Sequence, residues 1–140
     1  MPGDVTARCN AIEECYEYML AYAGQGLAGS EGSASSSQVR DYLRRAADAV
    51  SGLADAYAAA IQQDHLGEPE PHRAFLGVLE RDARDSLAAM QLVLAQSAIS
   101  SQLIDNLNAS IHLRALLTDL FLIDEILKPQ KARQKPATME

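Results

Sequence analysis

Tryptophan is absent from this sequence, and aromatic residues supply only 5% of it. Sheet cores lean on β-branched and aromatic side chains, so a chain rich in Ala and Leu instead favours close-packed helices. Cysteine is nearly missing too, with Cys9 and Cys15 the only pair. Six positions on a helix turn through about 240°. The two thiols therefore cannot bridge within one helix or chelate one ion together. They read as reduced, small core hydrophobes. Positive charge is scarce, with 12 Lys and Arg against 19 Asp and Glu, a formal charge of −7. Such a surface does not neutralise phosphates, which argues against nucleic acid as a partner. No run of about 18 uncharged apolar residues occurs, so no membrane-spanning helix is expected. The amino-terminal stretch carries Asp4, Glu13 and Glu14 where a secretory leader needs a basic lead and an unbroken apolar run. The expected location is the cytoplasm.

What is present is helical periodicity. Val5, Cys9, Ile12, Tyr16, Met19 and Ala23 recur at steps of 4 and 3, the mark of an amphipathic helix, with Asp4 placed to cap it. Residues 24–37, GQGLAGSEGSASSS, read as a long flexible Gly/Ser linker. It holds no Lys, so it is not a phosphate-binding loop. Ser35-Ser36-Ser37-Gln38 fits a capping box for a second helix. That helix repeats Val39, Leu43, Ala46, Val50, Leu53, Tyr57 and Ala60 at heptad spacing, with Gly52 costing it about 1 kcal/mol relative to Ala. The His65–Pro71 stretch breaks the chain. A third helix then carries Leu76, Leu79, Ala83, Leu87, Met90 and Leu94 inward, and a Ser-rich turn at 97–101 precedes the last helix. One unbroken helix over 72–127 is the alternative, since no Gly or Pro falls between Val78 and Lys128. Matched helix lengths favour a hairpin and an all-α, antiparallel four-helix bundle. It forms a single domain over 1–128, followed by a disordered basic tail at 129–140.

The last helix is the most apolar element, and Pro129 is expected to stop it. Leu113, Leu116, Leu120, Ile123 and Leu127 share one face. Ala115, Leu122, Ile126 and Leu117 widen that face to roughly 200°, beyond the ~100° one core contact needs. The five-residue stripe is therefore expected to face a second copy of the chain, making a homodimer. Asp119 falls beside this face. As an acid it is expected to sit solvated at the edge, the alternative being a seam position that fixes register. Tyr18 and Tyr22, four apart on the first helix, either roof the core or offer a second partner-binding anchor.

Catalytic and metal groupings are not evident. The Glu-x-x-His pairs of carboxylate-bridged metal bundles are missing, and His65 with His72 lacks a second pair of ligands. No Ser or Cys has a His and an acid arranged locally for nucleophilic attack. His112 is the sharpest candidate, with Asn108 one turn before it and Asp105 and Asp119 about two turns to either side. A His on a helix with a basic residue just after it resembles histidine phosphotransfer domains. Arg114 matches that feature, but Ala115 and Leu116 stand where those domains keep a small Gly. The expected function is a non-enzymatic protein–protein interaction module, such as an adaptor, small chaperone or assembly factor. Its partners would be itself and an unidentified protein, with no cofactor or metal. The alternatives are a phosphotransfer or signalling module using His112, and a metal- or ligand-binding bundle.

Overall fold

The periodic apolar stripes become helices throughout. The computed structural model describes residues 2–29, 33–63 and 68–134, and among them are six α-helices and no strand. They are α1 (Pro2–Ala23), α2 (Ala34–Ser51), α3 (Leu53–Gln63), α4 (Pro69–Leu94), α5 (Ser101–Ala109) and α6 (Ile111–Gln134). The chain is all-α, as its periodicity indicates.

Two breaks divide what the apolar pattern reads as continuous helices. The first is Gly52, which ends α2. Arg8 of α1 reaches into this gap and donates from Nη1 to the carbonyls of Asp48 and Ala49 at 3.1 and 3.2 Å. A Cβ on residue 52 would stand 2.5 Å from that Nη1, so the glycine makes room for the cation on the negative end of α2. The second is Ser110, which is extended (φ −64°, ψ 146°) and closes α5 with its N–H on the Leu107 carbonyl. Its Oγ then accepts from the Leu113 N–H at 3.2 Å, capping α6. The expected helix over 100–128 is therefore two helices.

Other ends also differ from expectation for local reasons. Ser33 rather than Ser35 caps α2, accepting from the Ser36 N–H at 3.1 Å. Arg40 donates to the carbonyls of Leu94, Gln96 and Ser97 and so satisfies the exposed end of α4. Helix α6 runs past Pro129 to Gln134, so the expected stop at Pro129 is corrected, although that proline removes one bond from the helical ladder. Positions 64–67 of the expected break and 135–140 of the expected tail lie outside the described residues.

The core unites every helix. Val5, Cys9, Ile12, Cys15 and Met19 of α1 meet Val39, Leu43, Leu53, Leu79 and Met90, together with the inner stripe of α6. Helix α6 packs against α4, α1 and α5.

The first part of the Gly/Ser stretch is a latch rather than a free linker. Tyr22 is buried and donates from its hydroxyl to the Ile99 carbonyl at 2.6 Å. Ser101 donates from Oγ to the Tyr22 carbonyl and accepts there from the Leu27 N–H, while its own N–H bonds the Leu27 carbonyl at 2.9 Å. Gly29 lies against this junction at φ +77°, and a Cβ there would stand 2.2 Å from the Ile99 carbonyl oxygen. Gly29→Ala combines a left-handed backbone with a clash against main chain. It should lower stability by about 1–3 kcal/mol in urea titration, whereas Gly26→Ala, which meets nothing nearby, should cost less.

Candidate functional site: the outer face of α6

Helix α6 separates its apolar residues into two populations. Leu113, Leu116, Leu120, Ile123 and Leu127 are all buried by this chain's own helices. They are core residues, which corrects the expectation that this stripe faces a partner. The apolar arc is nevertheless too wide for the core, as its breadth indicates, and the excess emerges elsewhere. Ile111 is 75% exposed, Phe121 56%, and Leu122 and Ile126 49% each. Exposed large apolar side chains grouped on one helix mark a contact surface more often than scattered ones do.

The exposed face changes character along its length. At the amino-terminal half, Ala109, Ile111, Arg114, Ala115 and Thr118 border a shallow hollow of about 430 Å³. At the carboxy-terminal half, Phe121, Leu122 and Ile126 stand out as a ridge. A groove lies on either side of that ridge. One, of about 410 Å³, runs between α1, α5 and α6 and is lined by Tyr16, Leu20, Asn108, Leu117 and Phe121, with Asp105 and Arg114 adding charge. The other, of about 260 Å³, lies between α3, α4 and α6, with Phe75, Leu122 and Ile126 in its walls. At its polar end the Tyr57 hydroxyl lies 2.6 Å from His72 Nδ1. Burial pushes the Tyr57 phenol up to about 12, so it keeps its proton at neutral pH, and the direction of that bond follows the tautomer of His72.

Two buried side-chain oxygens among the described residues have no hydrogen-bond partner, Asn108 Oδ1 and Asp119 Oδ2. Asn108 borders the first groove. Asp119 is only 5% exposed, a correction to the solvated edge position expected for it. Burial pushes its carboxyl up to about 8, reinforced by the neighbouring Asp82 carboxyl. The same kind of acid pairing recurs between α1 and α6, where burial first and then Asp124 and Glu17 raise Glu13.

The remaining candidates are placed differently from their sequence setting. Tyr22 is interior and serves the latch, so it is not an anchor for a partner. Tyr18 is half-buried, stacked on Tyr42 with ring centroids 4.3 Å apart and donating to Gln38 Oε1 at 3.1 Å. It roofs the contact between α1 and α2. His112 is exposed in the first turn of α6, and its carbonyl accepts from the fully buried Ser86 Oγ at 2.8 Å. The break at Ser110 separates it from Asp105 and Asn108, so the polar stripe seen in sequence is not one continuous face. No group of three or more His, Cys, Asp or Glu residues suited to a metal ion occurs among the described residues, and no described helix is long and apolar enough to cross a membrane.

Family models, curated proteins and solved structures give no match to the chain, so a functional reading rests on the residues themselves.

The sequence pattern does not single out Ile111 and Phe121 as exposed. The signal available for them was the Ser110 break. Once Ser110 is read as a cap, Ile111, Thr118, Leu122 and Glu125 fall on one side of a new helix, opposite Leu113, Leu116, Leu120 and Ile123.

Proposed function

We propose that this chain is a non-enzymatic interaction module whose working surface is the outer face of α6, centred on Phe121, Leu122 and Ile126. The observation behind this reading is the exposure of those large apolar side chains on a helix whose inner stripe is already fully covered. On this reading α2 with α3, and α5 with α6, act as two broken arms that join α1 and α4 in a four-helix-bundle scaffold. A rigid scaffold of this kind suits an adaptor, small chaperone or assembly factor, which works by presenting a surface rather than by moving bonds. The buried thiols Cys9 and Cys15 fit a reducing compartment such as the cytoplasm.

Placing a benzophenone amino acid at position 121, and in a separate variant at position 81, tests this reading in the native cell. Arg81 is also exposed, but on α4. Irradiation should give covalent protein adducts from position 121 and none of comparable yield from position 81. Equal yields, or none from position 121, would remove the contact surface from consideration.

A further inference from the structure

We infer that the outer face of α6 docks against the same face of a second copy, antiparallel and related by a two-fold axis lying between Thr118 and Phe121. This rests on the reading of α6 as a contact surface and names its partner. Three observations carry it.

The first is shape. The hollow bordered by Ala115 and Thr118 and the ridge formed by Leu122 and Ile126 occupy opposite halves of one helix. An antiparallel two-fold brings each half onto the other. With the axis midway between residues 118 and 121, Leu122 of one copy lies level with position 117 of the other. Ile126 likewise lies level with position 113, so both enter the hollow. Ala115 and Leu122 are seven residues apart and so within about 20° of each other around the helix. They lie on the same side of the seam, as a two-fold requires. The two Phe121 rings meet near the axis, offset by about 4.5 Å along it.

The second is charge. Between Ile111 and Ile126 the ionised side chains in the exposed class are Arg114 and Glu125, one of each sign. They lie at equal distances on either side of the axis, about 8 Å along the helix. Eleven residues of separation also puts them within about 20° of the same side. Each Arg114 therefore faces the other copy's Glu125, twice per dimer.

The third is the rest of the surface. A chain with a formal charge of −7 repels its own copies, and self-association is favoured where that charge is locally cancelled. The outer face of α6 is such a place. A stable dimer covers about 800 Å² on each partner. Between Ile111 and Ile126 helix α6 supplies a strip about 24 Å long, and the flanking residue Leu20, 52% exposed, extends it on one side.

Sedimentation equilibrium of the full chain tests the arrangement. The parent should sediment at twice its 15.1 kDa. Arg114→Glu and Glu125→Arg should each weaken the dimer about tenfold or more, by setting like charges face to face. The double variant should return to within about threefold of the parent. Phe121→Glu should be monomeric with unchanged helicity. A double variant as weak as the single ones would overturn the antiparallel register. A monomeric parent would overturn self-association. In that case adducts at position 121 to another protein would leave the interaction surface standing, and their absence would remove both.

Discussion

Leu120→Glu should abolish folding, while Phe121→Glu, one position further on, should leave the fold intact. Leu120 is fully buried in the core. Truncation of such a leucine to Ala alone costs about 2–5 kcal/mol, through lost apolar burial and the cavity left behind. Glutamate adds an ionised carboxylate with no partner in an apolar setting, a further penalty of several kcal/mol. A domain stable by about 5–15 kcal/mol does not survive that combination. Phe121 lies about 100° around the same helix and is 56% exposed, so a charge there stays in water in the single chain. Compared at concentrations too low for self-association, it should change the stability of the monomeric fold by about 0.5 kcal/mol or less. Far-ultraviolet circular dichroism and urea titration distinguish the two. Equal helicity and equal midpoints for the variants would mean that the division of α6 into inner and outer faces is wrong.

Asp119→Asn should raise stability at neutral pH and flatten its dependence on pH. In the folded chain the Asp119 carboxyl is raised from 3.8 to about 8 by burial and by its pairing with Asp82. Unfolding returns it to water and to the lower value. Between these two values the folded chain holds a proton that the unfolded chain has released. Stability from this group is therefore fully present below about pH 4 and is lost as pH rises through about 8. The slope reaches about 1.4 kcal/mol per pH unit at most, a swing of a few kcal/mol across the window. Glu13, raised by burial, Asp124 and Glu17, acts in the same direction. An asparagine holds the polar shape of the protonated acid without the ionisation, and should add roughly 1–3 kcal/mol at pH 7. Urea midpoints at pH 5, 7 and 8.5 provide the measurement. A parent whose midpoint does not fall across that series, or an Asn variant weaker than the parent at pH 7, would exclude this role for Asp119.

The stripe of α1 was legible because steps of 3 and 4 describe one face of an unbroken helix, and Val5, Cys9, Ile12 and Met19 are all interior. The breaks were harder to read. Gly52 registers in sequence as a propensity cost, but that it ends α2 depends on Arg8, 44 positions earlier, seeking two carbonyls. Ser110 lacks a Glu or Gln three residues on, so no capping box announces it. Its hydroxyl serves Leu113 all the same. For α6 the width of the apolar arc was a sound signal that not all of it fits one core. Periodicity does not say which part other helices cover, because that depends on where α1 and α4 come to lie. Periodicity alone therefore points the inner stripe at a partner, whereas the exposed large apolar residues of α6 are Ile111, Phe121, Leu122 and Ile126. The burial of Asp119 is hidden from the sequence for the same reason: the usual exposure of acids does not anticipate a second acid, Asp82, arriving from α4.

The junction of Tyr22, Leu27, Ile99 and Ser101 joins positions 74 to 79 residues apart. During synthesis the chain must extend well past its midpoint before the end of α1 meets the groups that close it. An amino-terminal fragment ending before residue 99 would leave the Tyr22 hydroxyl and the Leu27 amide without these acceptors and donors. The end of α1 thus waits, half-finished, for a segment made much later.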